Sequence, residues 1–143
     1  MKAIEKIDNA YNFPSMVLLL LGLVDLLRGF LHTFEVSWAA NTFAKLDLSY
    51  VRDDQLTLLG AFGISNILTG LIYILISRKA KNISPHILII IPIAYFVGWI
   101  GLRKVSGIVS EASFLGKYFV LSYLVICVGT WIIYTFSKKQ KVH

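Results

Sequence analysis

The sequence predicts an all-α fold in which four transmembrane helices form a bundle with short loops. Hydrophobic residues make up 57% of the 143 residues and charged residues 15%, whereas soluble domains carry about 25% charged residues. The apolar residues fall into four long runs, and about 20 apolar residues are enough for a helix to cross a bilayer. Four such spans leave no room for a separate soluble domain, so we expect a single polytopic membrane domain over residues 1–143.

The apolar runs and their flanking residues set the expected spans. The first run follows Lys2 and Lys6, as in a signal peptide, but it is long enough to span and no small-residue cleavage site follows it. Asp53 is the expected N-cap of the second helix, whereas Ser84 is expected to cap the third and Pro85 to take its first position. The predicted spans cover residues 13–34, 56–77, 85–102 and 114–136.

The distribution of Lys and Arg predicts the orientation, because short cytoplasmic loops carry an excess of these residues. Eight flank the spans on the side of the two termini, against five on the other side. We therefore expect a multi-pass protein of the cell membrane with cytoplasmic N- and C-termini. The eight are Lys2, Lys6, Arg78, Lys79, Lys81, Lys138, Lys139 and Lys141, and the five are Lys45, Arg52, Arg103, Lys104 and Lys117.

The net charge and the single cysteine restrict the expected partners. The formal net charge of +6 lies at the span ends, which favours membrane lipids over nucleic acid. Cys127 lies within an apolar run, so neither an internal disulfide nor a cysteine metal cluster is expected. We expect a buried, inert thiol there.

The longest predicted connection, residues 35–54, mixes apolar and polar residues and contains Trp38. Trp is favoured at the membrane interface. Two structures fit this composition equally: a short helix lying along the outer interface, or an extension of the first helix out of the membrane.

A polar stripe occupies the outer half of the first predicted helix. Asp25, Arg28, His32 and Glu35 fall within an arc of about 80° on a helical projection. Ionisable residues within a membrane are costly and therefore mark candidate functional sites. The same face continues inward as leucines, Leu21 and Leu18, which predicts a pocket open to the outside rather than a continuous pore.

Residues on the other three helices are predicted to complete a polar cluster at this depth. Counting about 1.5 Å of rise per residue places Asn66 and Trp99 level with Asp25, and Arg103 between Arg28 and His32. Polar side chains that face lipid are disfavoured, so we expect these faces to converge. The candidate ligand-binding cluster is Asp25, Arg28, His32, Glu35, Asn66, Tyr95, Trp99, Arg103 and Tyr123.

The cluster has a structural interpretation and a functional one. Asp25 can pair with Arg28 on its own helix and Glu35 with Arg103, which would give a neutral group that holds the helices in register. The alternative is a site for a ligand, an ion or a proton. At helical spacing from His32 there is only one potential second metal ligand, Glu35. A metal site needs more ligands than these two, so none is predicted.

The second helix carries small residues on one face. Gly63, Asn66 and Gly70 share that face, and small residues allow helix backbones to approach closely. We expect Gly98 and Gly101 on the third helix to be its counterpart. With Gly60, these residues predict a packing face within the monomer or, alternatively, between monomers of a homo-oligomer.

Three function classes follow from these features. The sequence contains no G-x-S-x-G, H-E-x-x-H, Walker or G-x-G-x-x-G motif, so no enzyme, cofactor or catalytic residue is predicted. The first hypothesis is a membrane protein that binds a small polar or amphipathic ligand, a lipid or a quinone, in an outward-facing intramembrane pocket. The alternatives are a subunit of an oligomeric transporter or channel, and an enzyme that uses Asp25, His32 and Glu35 as an acid-base set.

The order of features along the chain resembles that of small DoxX-like four-helix membrane proteins. The segments that carry the resemblance are Gly22 to Arg28, Leu58 to Gly63 (Leu-Leu-Gly-Ala-Phe-Gly) and Gly101-Leu102-Arg103. The resemblance implies a four-helix bundle and an association with membrane redox or quinone-linked roles. It implies no catalytic residue.

Overall fold

A computed structural model of the chain describes residues 2–44, 52–106 and 116–140. Every element in these ranges is helical. A π-helical segment, Ala40–Ala44, and a 3-10 turn, Lys81–Ile83, join the longer elements. The α-helices are α1 (Lys2–Phe34), α2 (Val36–Ala39), α3 (Arg52–Lys79), α4 (Ser84–Ser106) and α5 (Gly116–Gln140).

Four of these helices are long and apolar enough to cross a membrane, and they follow one another in the order expected from the four apolar runs. The start expected at residue 114 lies outside the described residues. The expected caps were wrong: Asp53 lies in the first turn of α3, and Ser84 is itself the first residue of α4. The apolar stretches are Ala10–Phe34, Asp53–Lys79, Lys81–Lys104 and Gly116–Lys138.

The four long helices have two distinct ends. One end, here called the termini end, holds the first residues of α1 and the last residues of α5, together with the turn from α3 to α4. At the opposite end, here called the distal end, α1 and α4 finish and α3 and α5 begin. The termini half and the distal half are the halves of the spans nearest to each end.

The chain bends where α1 finishes. Glu35 has φ −115° and ψ 39°, which interrupts the helix, and the short α2 that follows contacts both α1 and α3. Ala39 and Ala40 are fully buried there. A separate short helix is therefore found, as one of the two predictions had it; the rest of the connection, residues 45–51, lies outside the described residues.

α3 packs along α1 at two pairs of glycines. A Cβ at Gly22 would lie 2.9 Å from the carbonyl oxygen of Gly70, and one at Gly29 would lie 2.7 Å from that of Gly63. Both helices carry their glycines seven residues apart, so the two pairs fall in register on antiparallel helices. The predicted packing face of α3 therefore lies within the chain, with its counterpart on α1.

The expected role of α4 in this contact was wrong. No described atom lies within 4 Å of a Cβ built at Gly98 or Gly101. Both glycines are in the distal half of α4, where every residue from Ile93 to Lys104 is exposed.

α4 and α5 pack against each other and against α1 in the termini half. The fully buried side chains there include Leu18, Leu88 and Cys127. Cys127 is thus a buried free thiol, as predicted. The apolar core consists of Leu18, Leu21, Leu88, Ile91, Tyr123 and Cys127.

Candidate functional site

Asp25 and Tyr123, two residues of the predicted cluster, are in direct contact. The Tyr123 hydroxyl donates a hydrogen bond to Asp25 Oδ2 at 2.9 Å. Asp25 is 5% exposed and Tyr123 8% exposed. The bond joins α1 to α5 across 98 residues of sequence, and it meets part of the hydrogen-bonding need that a buried carboxyl group creates.

Arg28 lies between two aromatic rings instead of beside a carboxylate. Its guanidinium carbon is 5.0 Å from the ring centre of Phe62 on α3 and 5.8 Å from that of Phe119 on α5. Cations in this position interact favourably with the ring faces. Within the ranges that the structure describes, no ion pair joins Asp25 to Arg28 or Glu35 to Arg103, so the structural pairing expected from the sequence was wrong.

Three polar side-chain atoms are buried without a hydrogen-bond partner in the described part of the chain. They are Nδ1 of His32, Oε1 of Gln55 and Nδ2 of Asn66. The ring of His32 lies 5.9 Å from that of Phe62, and Asn66 is 8% exposed. A buried polar group without a partner costs free energy. A water molecule or a ligand that forms a hydrogen bond with one of these atoms would therefore stabilise the folded protein.

Asn66 lies at the depth that the sequence predicted. The register in which Gly22 faces Gly70 and Gly29 faces Gly63 places it opposite Leu26, one residue from Asp25. Asn66 is therefore at the middle of α3, level with the contact between Asp25 and Tyr123.

An open groove of about 680 Å³ runs beside the distal part of α3. Gln55, Leu59, Phe62 and Asn66 fall within an arc of about 60° on α3. Two of the unpartnered atoms thus lie on the same helical stripe as the groove, and Phe62, which contacts Arg28 and His32, belongs to its wall. The described residues that line the groove are Gln55, Leu58, Leu59, Ala61 and Phe62.

Three residues of α4 do not join this cluster. Tyr95, Trp99 and Arg103 are exposed, and Arg103 lies over the ring of Trp99 with its guanidinium carbon at 4.1 Å. Counted from the contact between Ser15 and Ser84, residue 94 rather than Trp99 is level with Asp25. Glu35 is exposed at the bend after α1. The expected convergence therefore holds for α1, α3 and α5 and was wrong for α4.

Below Asp25 the expected leucine seal is present. Leu18 is fully buried and Leu21 is 5% exposed, and both pack against Leu88 and Ile91 of α4.

No group of three or more His, Cys, Asp or Glu side chains that could hold a metal ion occurs among the described residues.

The sequence analysis missed a polar contact region at the termini end. The hydroxyl groups of Ser15 and Ser84 are 3.2 Å apart and buried, and Lys81 Nζ donates a hydrogen bond to Asn12 Oδ1 at 3.0 Å. The ring centres of Tyr11 and Tyr134 are 5.8 Å apart. These contacts fix α4 and α5 to the start of the first span.

The glycine contact between α1 and α3 was also missed on the α1 side, although a pattern in the sequence could have found it. Gly22 and Gly29 have the same spacing as Gly63 and Gly70. No protein-family model, curated protein or solved structure matches this chain.

Proposed function

We propose that this chain is a polytopic membrane protein that binds a small amphipathic ligand, a lipid or a quinone, in the distal half of a four-helix bundle. The apolar part of the ligand lies in the groove along α3, against Leu58, Leu59 and Phe62. Its polar oxygen atoms face His32 and Asn66. The resemblance to DoxX-like proteins is the reason for including quinones.

The observation that carries this proposal is the position of the unpartnered polar atoms. His32 Nδ1, Gln55 Oε1 and Asn66 Nδ2 are all buried without partners in the described ranges, and all lie at the middle of the spans or in the distal half. Ligand sites combine apolar walls with a few such polar groups. A purely structural cluster would satisfy its own polar atoms, so the unpartnered atoms favour the functional interpretation.

Two observations argue against the alternative functions. A transport path through a single copy would need polar groups below Asp25, where Leu18 and Leu21 are buried against α4. The acid-base set of the enzyme alternative extends over ten residues of α1, about 15 Å of helix, and its last member, Glu35, is exposed.

The ligand proposal is tested with the purified protein in detergent, by melting curves recorded with and without a short-chain quinone or a zwitterionic phospholipid. A ligand at about 100 times its Kd stabilises the folded protein by about 2.7 kcal/mol. Asn66→Leu keeps the side-chain volume and removes the donor. We expect this variant to be at least as stable as the parent without ligand, because an unpartnered donor is lost, and to show no ligand-induced shift.

Ser65→Ala is the matched control, because Ser65 is on the same helix but exposed. It should keep the full shift. If Asn66→Leu melts at a much lower temperature than the parent, Asn66 is a packing residue. If both variants retain the shift with every ligand that stabilises the parent, the site lies elsewhere and the proposal is wrong.

The orientation is part of the proposal and has its own test. With both termini in the cytoplasm, the distal groove faces the outside. In a Cys127→Ser background, Asp54→Cys should react with an impermeant thiol reagent on intact cells, and Asn82→Cys should react after lysis. The reverse labelling pattern would place the groove on the cytoplasmic side.

A further inference from the structure

The net positive charge of the chain is concentrated at the termini end. In the sequence, eight basic and two acidic residues flank the spans on that side, whereas six of each lie within or beside the distal halves of the spans. The whole surplus of +6 therefore belongs to one side. Such asymmetry favours an anionic partner at the termini end.

Three of these cations lie in one tight turn. Arg78 and Lys79 are in the last turn of α3, and Lys81 begins the 3-10 turn before α4. The backbone there is held by hydrogen bonds from Ala80 N to Ile76 O at 2.8 Å and from Ile83 N to Ala80 O at 2.9 Å. All three cationic side chains are exposed.

The turn is also fixed to α1. Ser15, which contacts Ser84, lies 3.4 Å from the Lys81 carbonyl oxygen, and the Lys81 ammonium group is bonded to Asn12. The turn that carries the three cations is therefore held against Asn12 and Ser15 of α1.

Exposed apolar side chains lie beside these cations on the membrane side. They include Leu75 and Ile83, both more than 40% exposed. Cations above an apolar helix surface match a molecule with an anionic head and apolar chains, whereas a free phosphate ion or a nucleic acid would leave this surface uncovered.

We propose that Arg78, Lys79 and Lys81 form a binding site for the head group of an anionic phospholipid. The phosphate lies against the turn, and the acyl chains cover the adjoining surface of α3. The site requires that the chain is inserted in a membrane, as in the function proposed above, and is independent of the distal ligand site.

Native mass spectrometry of the detergent-solubilised protein with phosphatidylglycerol and phosphatidylcholine tests this site. We expect the parent to retain phosphatidylglycerol in preference to phosphatidylcholine. The triple variant Arg78→Gln, Lys79→Gln, Lys81→Gln should lose about a hundredfold in affinity for phosphatidylglycerol, given about a fivefold effect for each cation. Its binding of phosphatidylcholine should not change.

A second triple variant removes the same charge from the distal end. Arg103, Lys104 and Lys117 are exposed, and their replacement by Gln should change phosphatidylglycerol binding by less than about threefold. Equal losses in the two triple variants would mean that net charge alone is responsible, and would overturn the proposal. The proposal would also be overturned if the parent bound phosphatidylglycerol no more tightly than phosphatidylcholine.

Two further measurements distinguish this lipid site from a site for free anions and from the distal groove. Inorganic phosphate at equal concentration should not displace the lipid; displacement would indicate a site for free anions and contradict the proposal. The triple variant Arg78→Gln, Lys79→Gln, Lys81→Gln should keep the stabilisation by quinone or zwitterionic phospholipid at the distal groove. The failure of one proposal therefore leaves the other standing.

Discussion

The termini half and the distal half of the spans are packed differently. In the termini half, Leu18, Leu88 and Ser84 are fully buried, and three helices meet around α1. In the distal half, all residues of α4 from Ile93 to Lys104 are exposed. In a membrane this openness is tolerated, because lipid solvates apolar side chains as well as other apolar side chains do. In the distal half the close contact is that of α1 with α3 at Gly29 and Gly63, whereas α4 packs closely only in the termini half.

The polar atoms of the two halves differ in the same way. In the termini half, the hydroxyl groups of Ser15 and Ser84 form a hydrogen bond, and Lys81 donates one to Asn12. The unpartnered atoms of His32, Gln55 and Asn66 lie at the middle of the spans or beyond it. A closed half and an open half with unsatisfied polar groups form the arrangement expected of a scaffold that carries a binding site.

The comparison predicts that leucine truncation on α4 has opposite outcomes at its two ends. Leu88 is fully buried and Leu102 is 69% exposed. Leu88→Ala should lower the free energy of unfolding by about 2 to 5 kcal/mol, because a cavity forms, whereas Leu102→Ala should change it by less than about 0.5 kcal/mol. Unfolding in mixed detergent micelles measures both. Similar losses for the two variants would refute the division into halves.

Glycine replacement gives the next largest contrast, in this case between α1 and α4 within the distal half. A Cβ at Gly29 would lie 2.6 Å from Ile67 Cγ1 and 2.7 Å from a backbone oxygen of α3, so Gly29→Ala should cost about 1 to 3 kcal/mol of stability by overpacking. A Cβ at Gly101 would lie in open space. Gly101→Ala should therefore raise the free energy of unfolding by up to about 1 kcal/mol through helix propensity. The same unfolding assay decides; a destabilised Gly101→Ala variant would mean that α4 is covered by a partner.

The sequence was sufficient for the four long apolar helices and for part of the site. Such helices are recognisable because each must be long and apolar regardless of its neighbours. The level of Asn66 with Asp25 could also be predicted, because both helices rise at the same rate per residue.

Other features depended on information that the sequence does not carry. Whether Trp99 turns toward Asp25 depends on the rotation of α4 about its axis, and apolar residues surround that half of α4 on all sides. Asp25 accepts a hydrogen bond from Tyr123 of α5 and, within the described ranges, forms no ion pair with Arg28. The guanidinium group of Arg28 lies between the rings of Phe62 and Phe119. Partner choice at this level follows from tertiary packing.

The contact between Asp25 and Tyr123 predicts an intermediate effect. Tyr123→Phe removes the donor and should cost about 0.6 to 1.7 kcal/mol, the range measured for hydrogen bonds between transmembrane helices. In a double-mutant cycle, Asp25→Asn should couple to Tyr123→Phe more strongly than to Arg28→Gln. Stronger coupling to Arg28 would restore the ion pair that the sequence suggested and weaken the assignment made from the structure.

The smallest predicted effect concerns the contact that joins three helices in the open half. Arg28 on α1 lies between Phe62 of α3 and Phe119 of α5, so it connects α5 to the closely packed pair of α1 and α3. Phe119→Leu should cost about 0.5 to 1 kcal/mol through the lost interaction between cation and ring. In an Arg28→Gln background that cost should vanish, because the cation is already absent. Phe136→Leu, an exposed position at the other end of α5, should be neutral in both backgrounds. An equal cost of Phe119→Leu in the two backgrounds would show that the ring acts by packing alone, and the distal half would then be held by the glycine contact of α1 with α3 and the bond from Tyr123 to Asp25.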